Sequence, residues 1–254
     1  MKRGSPDMKI HEPYDKTGCV LSRFVLILST FLLVTVCACS DKTESPPVET
    51  DKAALESFSF FDVGADSRFR DDLRDNLRDN LGTDAFEARM PIDLSINYPE
   101  FLDRHFPDLA ALNRKLNYRP QERIEHNTVK LTYRNSRKKG RPFDLITIVF
   151  SNYSKKPLLI DITAKNNDLD LIGALENKYG TPENIQWDNG RGSSKAWTRH
   201  SDVLIASSSF TRIGKPVTRI NIYFVQNIIP LIEQEEKERQ ELELKRKKAG
   251  ESAF

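Results

Sequence analysis

Cysteine is scarce in this chain of 254 residues: there are three, and none lies beyond residue 39. Disulfide bonds within the rest of the chain and cysteine-ligated metal sites there are therefore excluded. Stability has to come from buried apolar surface instead, which a segment of about 200 residues can supply.

Motifs for catalysis and for metal or nucleotide binding are also missing. After residue 39 the histidines are His105, His126 and His200, and their spacing matches no metal-binding motif. We expect His105 on the apolar face of a helix, and His126 and His200 exposed near strand ends. Three consecutive serines, residues 207–209, lack the Gly-x-Ser-x-Gly turn of a nucleophile. The sequence therefore predicts no catalytic residue, no metal ligand and no cofactor.

Charge argues against a nucleic-acid partner. The whole chain has 39 basic residues (Lys and Arg) against 37 acidic ones. Residues 1–38 hold five of the basic and three of the acidic residues, so the remainder has 34 of each. Binding along a nucleic acid needs net positive charge to displace counterions, and a neutral chain does not supply it.

The longest apolar run lies near the N-terminus. It reads FVLILSTFLLVTV over residues 24–36 and follows Arg23 directly. At about 13 residues it suits the apolar region of a signal peptide, and it is shorter than the ~20 residues of a spanning helix. Basic residues precede it, as expected on the cytoplasmic side. We predict a signal peptide over residues 1–38; the alternative is an uncleaved anchor formed by residues 20–39.

The apolar run ends in Val36-Cys37-Ala38-Cys39, which resembles the lipobox of bacterial lipoproteins. This resemblance covers only the short segment around the cysteine. It implies cleavage before Cys39, lipid attachment to its sulfur, and acylation of the new N-terminus with a fatty acid such as palmitate. Several acyl chains anchor a protein firmly, since each buried methylene contributes about 0.8 kcal/mol. Ser40 resembles the outer-membrane sorting residue of that family, which implies an outer-membrane anchor facing the periplasm.

Composition divides the rest of the chain into four predicted regions. Residues 39–57 contain the lipidated N-terminus and a disordered tether rich in proline and charge. Residues 58–120 are predicted to be a helical segment, residues 121–232 an α+β domain, and residues 233–254 a charged, solvent-exposed helix or tail.

Helical periodicity predicts an N-terminal helical pair. Residues 66–81 repeat an Arg-Asp-x-Leu unit, which places the leucines on one stripe of a helix. Asp66 is expected to cap this helix and Gly82 to end it. A second helix is expected from Asn97, with a kink or break at Pro107.

Alternating apolar residues and turn residues predict a largely antiparallel sheet. The predicted strands are residues 128–134, 143–151, 158–163, 185–187, 195–198, 203–210 and 217–225. Helices are predicted at residues 167–179 and from about Asn227 onward. A hairpin centred on Gly192 would set Trp187 opposite Trp197. The element order favours an α+β fold with helices packed on one face of the sheet and a charged C-terminal helix.

One basic cluster is a candidate interaction site. It lies between the first two predicted strands and comprises Arg137, Lys138, Lys139 and Arg141. These side chains could contact lipid headgroups, lipopolysaccharide or an acidic protein; the alternative is a solvated hairpin tip.

The sequence leaves three classes of function open. The preferred hypothesis is a non-enzymatic binding or assembly module of the cell envelope with an envelope protein as partner. It rests on the missing catalytic motifs, the tether and the charged helical segments. The first alternative is a periplasmic carrier or sensor of a small apolar ligand. Its predicted cavity is lined by Leu145, Ile160, Leu171, Ile205 and Ile222. The second alternative is a hydrolase with no recognisable motif.

The lipid anchor can be tested by replacing Cys39. We expect Cys39→Ser to abolish the added lipid mass, because the thioether needs the cysteine sulfur. Cys37→Ser is the matched control and should keep the lipid. The measurement is the intact mass of the membrane-extracted protein. If Cys39→Ser leaves both mass and membrane attachment as in the parent chain, the uncleaved anchor is correct.

Overall fold

The computed structural model describes residues 57–118, 122–134, 142–164, 170–211 and 213–252. Several predictions concern other parts of the chain and lie outside the described residues. They are the signal peptide, the lipid site at Cys39, the tether up to residue 56 and the basic cluster of Arg137, Lys138, Lys139 and Arg141.

The described chain contains ten strands and five α-helices, and most strands follow one another in runs. The strands are β1 (Ser59–Phe60), β2 (Val63–Gly64), β3 (Asp84–Met90), β4 (His126–Arg134), β5 (Phe143–Ser151), β6 (Pro157–Ala164), β7 (Glu183–Trp187), β8 (Gly192–Arg199), β9 (Asp202–Phe210) and β10 (Pro216–Tyr223). The helices are α1 (Asp71–Leu81), α2 (Phe101–His105), α3 (Pro107–Leu116), α4 (Leu171–Tyr179) and α5 (Val225–Glu251). The α+β class with a large antiparallel sheet is confirmed.

Eight strands form one antiparallel sheet built from two similar units. Their order is β3-β4-β5-β6-β10-β9-β8-β7, so two four-stranded meanders meet at the β6–β10 pair. Each meander follows a helix, α1 in the first unit and α4 in the second. Both helices end at a glycine with positive φ, Gly82 (99°) and Gly180 (84°), and threonine comes next. In both units the last strand along the chain lies at the centre of the sheet and the first lies at its edge. The two units are therefore related by an approximate twofold axis at the β6–β10 pair.

One face of the sheet is covered by the helices that lead into the two meanders. Leu77 and Leu81 of α1 are buried there, and residues of α4 such as Leu175 pack against the same cluster. The sheet contributes isoleucines to this first core, among them Ile160 and Ile222. The small β1–β2 hairpin completes this side.

The opposite face is covered by α2, α3 and α5. Their buried residues include Phe101, Leu109 and Ile228, which form a second core with the sheet. An extended strap, residues 91–97, crosses this face from the end of β3 towards β8. The Tyr223 hydroxyl donates to the carbonyl oxygen of Leu94 in the strap at 2.9 Å.

Helices therefore lie on both faces of the sheet, and the prediction that they pack on one face is wrong. The reason is visible in β5, which is buried along most of its length. A strand with apolar side chains on both faces needs cover on both sides, since each exposed apolar side chain would forfeit burial free energy.

A buried ion-pair cluster attaches α1 to the edge of the sheet. The carboxylate of Asp84 on β3 is fully buried, with Arg74 Nη2 2.7 Å from its Oδ2 and Arg78 Nε donating to its Oδ1. Burial would raise the pKa of Asp84, but these hydrogen bonds outweigh it and hold the pKa below its usual value. The arginines of the repeat thus serve mainly to fix β3.

The sequence analysis does not predict strand β3. Most of its side chains are exposed, so it lacks the apolar alternation by which a strand is recognised. Segment 58–120 therefore holds an edge strand as well as helices. Helix α1 begins at Asp71 with Arg70 as its N-cap residue, so the expected cap at Asp66 is wrong. The Asp66 carboxylate instead pairs with Lys156 at 2.8 Å.

The predicted Trp187–Trp197 pair is wrong. The turn is short and Trp187 pairs with Gly192, whereas Trp197 lies opposite Leu204 on the next strand. The two indoles belong to different cores. Trp197 Nε1 donates to the Gly180 carbonyl at 2.8 Å, and Trp187 Nε1 donates to Ser194 Oγ at 2.9 Å.

The close approach of Trp187 to Gly192 can be tested by adding a methyl group. A Cβ at residue 192 would lie 2.4 Å from the Trp187 ring, so we expect Gly192→Ala to destabilise the protein. The expected loss is about 1–3 kcal/mol, the usual range for overpacking. Gly250→Ala is the control, because no atom would lie within 4 Å of its Cβ. Chemical denaturation measures both, and equal stability of the two variants would contradict the packing described.

Candidate functional site

Helix α5 is the largest feature that extends beyond the two cores. It contains 27 residues and is therefore about 40 Å long. Its first turns are buried through Val225, Ile228 and Leu231. From Glu236 to its end at Glu251 every residue is exposed, as predicted for a charged C-terminal helix. We call residues 236–251 the projecting half of α5.

The base of the projecting half is held by Glu235. One carboxylate oxygen lies 2.7 Å from His126 Nδ1, and the other accepts the backbone N–H of Asn127 at 2.7 Å. His126 is only 3% exposed, so the prediction that it is exposed is wrong. Arg239, one turn further along α5, pairs with Glu236 at 3.1 Å and not with Glu235. Glu235 instead joins α5 to the start of β4.

A second contact holds the helix one turn further on. The Tyr153 hydroxyl, in the β5–β6 turn, donates to Glu238 Oε2 at 2.7 Å. Burial and this bond raise the pKa of Tyr153. Hydrogen bonds from Gln234 and Tyr153 lower the pKa of Glu238. The hydroxyl therefore keeps its proton and the carboxylate its charge, which is the combination that a charge-assisted hydrogen bond requires.

A cleft of about 870 Å³ opens beside these contacts, between α5, the end of α3 and the start of β4. Its walls carry both signs of charge together with Tyr118 and Tyr153. The charged lining residues are Arg89, Lys115, Glu125, Glu233, Glu235, Glu236, Glu238, Arg239 and Glu243. The cleft is open to solvent along the helix, so it can accept an elongated partner.

The imidazole of His126 is oriented but has no reactive neighbour. A carboxylate accepts at Nδ1, so Nδ1 carries a proton, and Nε2 is buried without a hydrogen-bond partner. A carboxylate-oriented histidine serves as a general base when a nucleophile lies within reach of Nε2. The lining of this cleft includes no serine, threonine or cysteine. The arrangement therefore fits a structural role. We call the contacts of Glu235 with His126 and Asn127, together with the Tyr153–Glu238 hydrogen bond, the clamp of α5.

A second cleft, of about 820 Å³, lies where α2 approaches the ends of β7 and β9. Tyr98, Trp187 and Phe210 line it, and Phe210 is well exposed. His105 also lines it, partly buried as expected for the edge of a core, with Nε2 3.4 Å from the Tyr98 hydroxyl. Its lining also includes Glu100, Arg104, Arg191, Ser209 and Thr211, so the cleft combines aromatic side chains with charged and polar ones.

The other polar residues singled out in the sequence have ordinary structural positions. Ser207 is buried and shares a hydrogen bond of 2.9 Å with Ser194, which is the role of a strand-face hydroxyl. His200 is exposed in the β8–β9 turn. Across the part of the chain that the structure describes, no group of three or more His, Cys, Asp or Glu side chains could hold a metal ion.

The residues predicted to line an apolar ligand cavity do not lie together. Ile160 and Ile222 are buried in the first core with Leu171 packed against them, whereas Ile205 belongs to the second core. The sheet separates the two groups, because neighbouring side chains of a strand point to opposite faces. That cavity prediction is wrong.

Comparisons with known proteins give no indication of family or function. No protein-family model matches the chain, and neither a curated protein nor a solved structure is significantly similar to it. Within the described ranges, no helix has the length and hydropathy that crossing a membrane would need.

The clamp at Glu235 can be tested by removing its carboxylate. Glu235→Ala leaves the buried His126 Nδ1 and the partly buried Asn127 N–H without an acceptor, so we expect a loss of about 1–3 kcal/mol in the free energy of unfolding. Glu241→Ala, on the exposed part of the same helix, should change it by less than about 0.5 kcal/mol. Urea denaturation compares the two. Equal effects would show that Glu235 does not fasten the helix.

Proposed function

We propose that this protein is an exported lipoprotein, anchored through Cys39, that acts as a non-enzymatic binding or assembly module of the cell envelope. In this proposal the anchor lies in the outer membrane and the domain faces the periplasm. The partner is a protein of the envelope, and it docks on the projecting half of α5 and the adjoining cleft.

The observation that carries the proposal is the exposure of the projecting half. Each residue from Glu236 to Glu251 is exposed, so neither core requires this part of the helix. An isolated helix of this length would be marginally stable in water. Here it continues a helix whose base is clamped by Glu235 and Tyr153, so it is already ordered before a partner arrives. Preorganisation of this kind lowers the entropy lost on binding.

The charge pattern of the projecting half defines the kind of partner. Its first part is mainly acidic and its last part is basic, with the run Lys245-Arg246-Lys247-Lys248 before the end. Leu242 and Leu244 lie between these parts and are 49% and 53% exposed. Because residues two apart point to nearly opposite sides of a helix, one partner surface would contact only one of these leucines. A protein surface with a basic and an acidic region on either side of that apolar contact would complement this helix, and such charge complementarity favours specificity and rapid association.

The tether supports the same arrangement. Residues 40–57 would reach at most about 60 Å when fully extended, at ~3.3 Å per residue. A tether of that length lets the domain extend past the lipid headgroups. It also keeps the domain close to partners at the same membrane. Proline and charge in this segment favour an extended chain.

The docking surface can be tested by crosslinking in cells. A photoreactive residue placed at Leu242 should give one dominant protein adduct, whereas the same residue at Phe86, exposed on edge strand β3, should not.

Deleting residues 241–254 should abolish the capture of that partner by the tagged protein without lowering the melting temperature. The deletion keeps Glu235 and Glu238, so the clamp is intact.

Three outcomes would contradict the proposal. They are the absence of any adduct at position 242, an equal adduct yield at position 86, and partner capture that survives the deletion. A lowered melting temperature of the truncated chain would instead assign the projecting half to the fold.

A further inference from the structure

The second cleft, where α2 approaches the ends of β7 and β9, has no role in the proposed function. We call it the aromatic cleft. Its volume of about 820 Å³ lies within the range of about 300–1,000 Å³ that is usual for sites of small ligands. Its lining combines aromatic rings with charged and polar side chains, so it suits a ligand that has both an apolar face and many hydrogen-bonding groups.

Three aromatic rings supply the apolar wall of the aromatic cleft. The indole of Trp187 rests on Gly192, where an added Cβ would lie 2.4 Å from the ring, so the backbone of β8 supports one side of the indole. The centroid of the Tyr98 ring lies 5.9 Å from that of the indole. Phe210, at the end of β9, is 61% exposed. An aromatic ring exposed at the rim of a cleft can pack against the apolar face of a ligand.

Two guanidinium groups at the aromatic cleft have no acidic partner. Glu100 lies four residues before Arg104, yet the Arg104 guanidinium does not pair with it and lies 5.8 Å from the centroid of the Tyr98 ring. Arg191 is exposed in the turn before β8. Neither arginine forms an ion pair with a described residue. The side-chain N–H groups of both therefore remain available to a ligand.

The charges at the aromatic cleft favour a ligand with a carboxylate. The lining includes one acidic residue, Glu100, and two arginines, Arg104 and Arg191. A planar guanidinium can donate two parallel hydrogen bonds to a carboxylate. A phosphate with two negative charges would be repelled by Glu100 more strongly than a carboxylate with one.

The neutral polar residues indicate what else the ligand carries. Asn97, Gln186, Ser209 and Thr211 line the cleft, and each of these side chains can both donate and accept hydrogen bonds. The hydroxyl groups of a saccharide also donate and accept, and the C–H groups of a sugar ring form an apolar face that packs on aromatic rings. A fatty acid or an aryl acid would cover these polar side chains without pairing them.

We propose that the aromatic cleft binds an acidic saccharide. The sugar ring packs against the aromatic wall, and the guanidinium groups of Arg104 and Arg191 bind its carboxylate. The side-chain amides of Asn97 and Gln186 form hydrogen bonds with its hydroxyl groups. The cleft is separate from the projecting half of α5, so this site can be tested independently of the proposed function.

The test is isothermal titration calorimetry of the full-length protein in a detergent without a sugar headgroup. Trigalacturonate is the probe. Galactotriose of the same linkage, which has hydroxymethyl groups in place of the carboxylates, is the matched control. We expect trigalacturonate to bind with a dissociation constant on the order of 1 mM and galactotriose to bind about tenfold more weakly. Tricarballylate, which carries carboxylates without a sugar ring, should not bind.

Two substitutions locate the bound trisaccharide. Arg104→Gln should weaken the binding of trigalacturonate about fivefold, because it removes a charged donor, whereas Arg134→Gln, exposed on β4, should not. Phe210→Ala should weaken binding about threefold, because it removes part of the aromatic wall. Phe86→Ala removes an exposed ring on β3 and should leave binding unchanged. All four side chains are exposed, so these substitutions are compatible with the fold.

Tryptophan fluorescence gives a second measurement of the same site. The chain has two tryptophans, and Trp197 is buried in the first core, so a ligand in the aromatic cleft should change the emission of Trp187 alone. Unchanged fluorescence at saturation would place the trisaccharide elsewhere and overturn the proposal. It is also overturned if trigalacturonate does not bind, if galactotriose or tricarballylate binds as tightly, or if neither Arg104→Gln nor Phe210→Ala weakens binding.

Discussion

The pairing of β6 with β10 is the contact on which the rest of the structure depends. It joins two four-stranded meanders that have no other strand pairing between them among the described residues. Ile162 lies opposite Ile220 and Ile160 opposite Ile222, so the seam aligns the isoleucines of both units in the first core. Because a shift by one residue would turn these side chains to the other face, the apolar pattern determines the register.

The seam also determines which face its polar residues occupy and where α5 leaves the sheet. It directs Asp161 and Asn221, which alternate with those isoleucines, to the opposite face and sets them side by side. It ends at Tyr223, from which α5 leaves the sheet and packs across the second core. The side-by-side placement of Asp161 and Asn221 and the point at which α5 leaves the sheet are therefore two consequences of one strand pairing.

Much of the fold could be predicted locally, and the site could not. Strands such as β5 show their alternation or apolar run within nine residues, and α4 shows its N-cap at Asp170, which accepts the Gly173 N–H at 2.7 Å. The edge strand β3 has no such pattern, because most of its side chains are exposed and Asp84 is held by two partly exposed arginines of α1. His126 and Glu235 are 109 residues apart, and nothing near either residue marks the contact.

The sequence by itself determined most elements from β4 onward, the antiparallel character of the sheet and the charged C-terminal helix, because periodicity and caps act within a few residues. It also carries the lipobox-like segment from which the anchor at Cys39 is proposed. Only the tertiary structure decided that helices cover both faces, that His126 is buried against Glu235, and that Asp161 and Asn221 lie side by side. These depend on strand order and register, which bring distant residues together through the sheet.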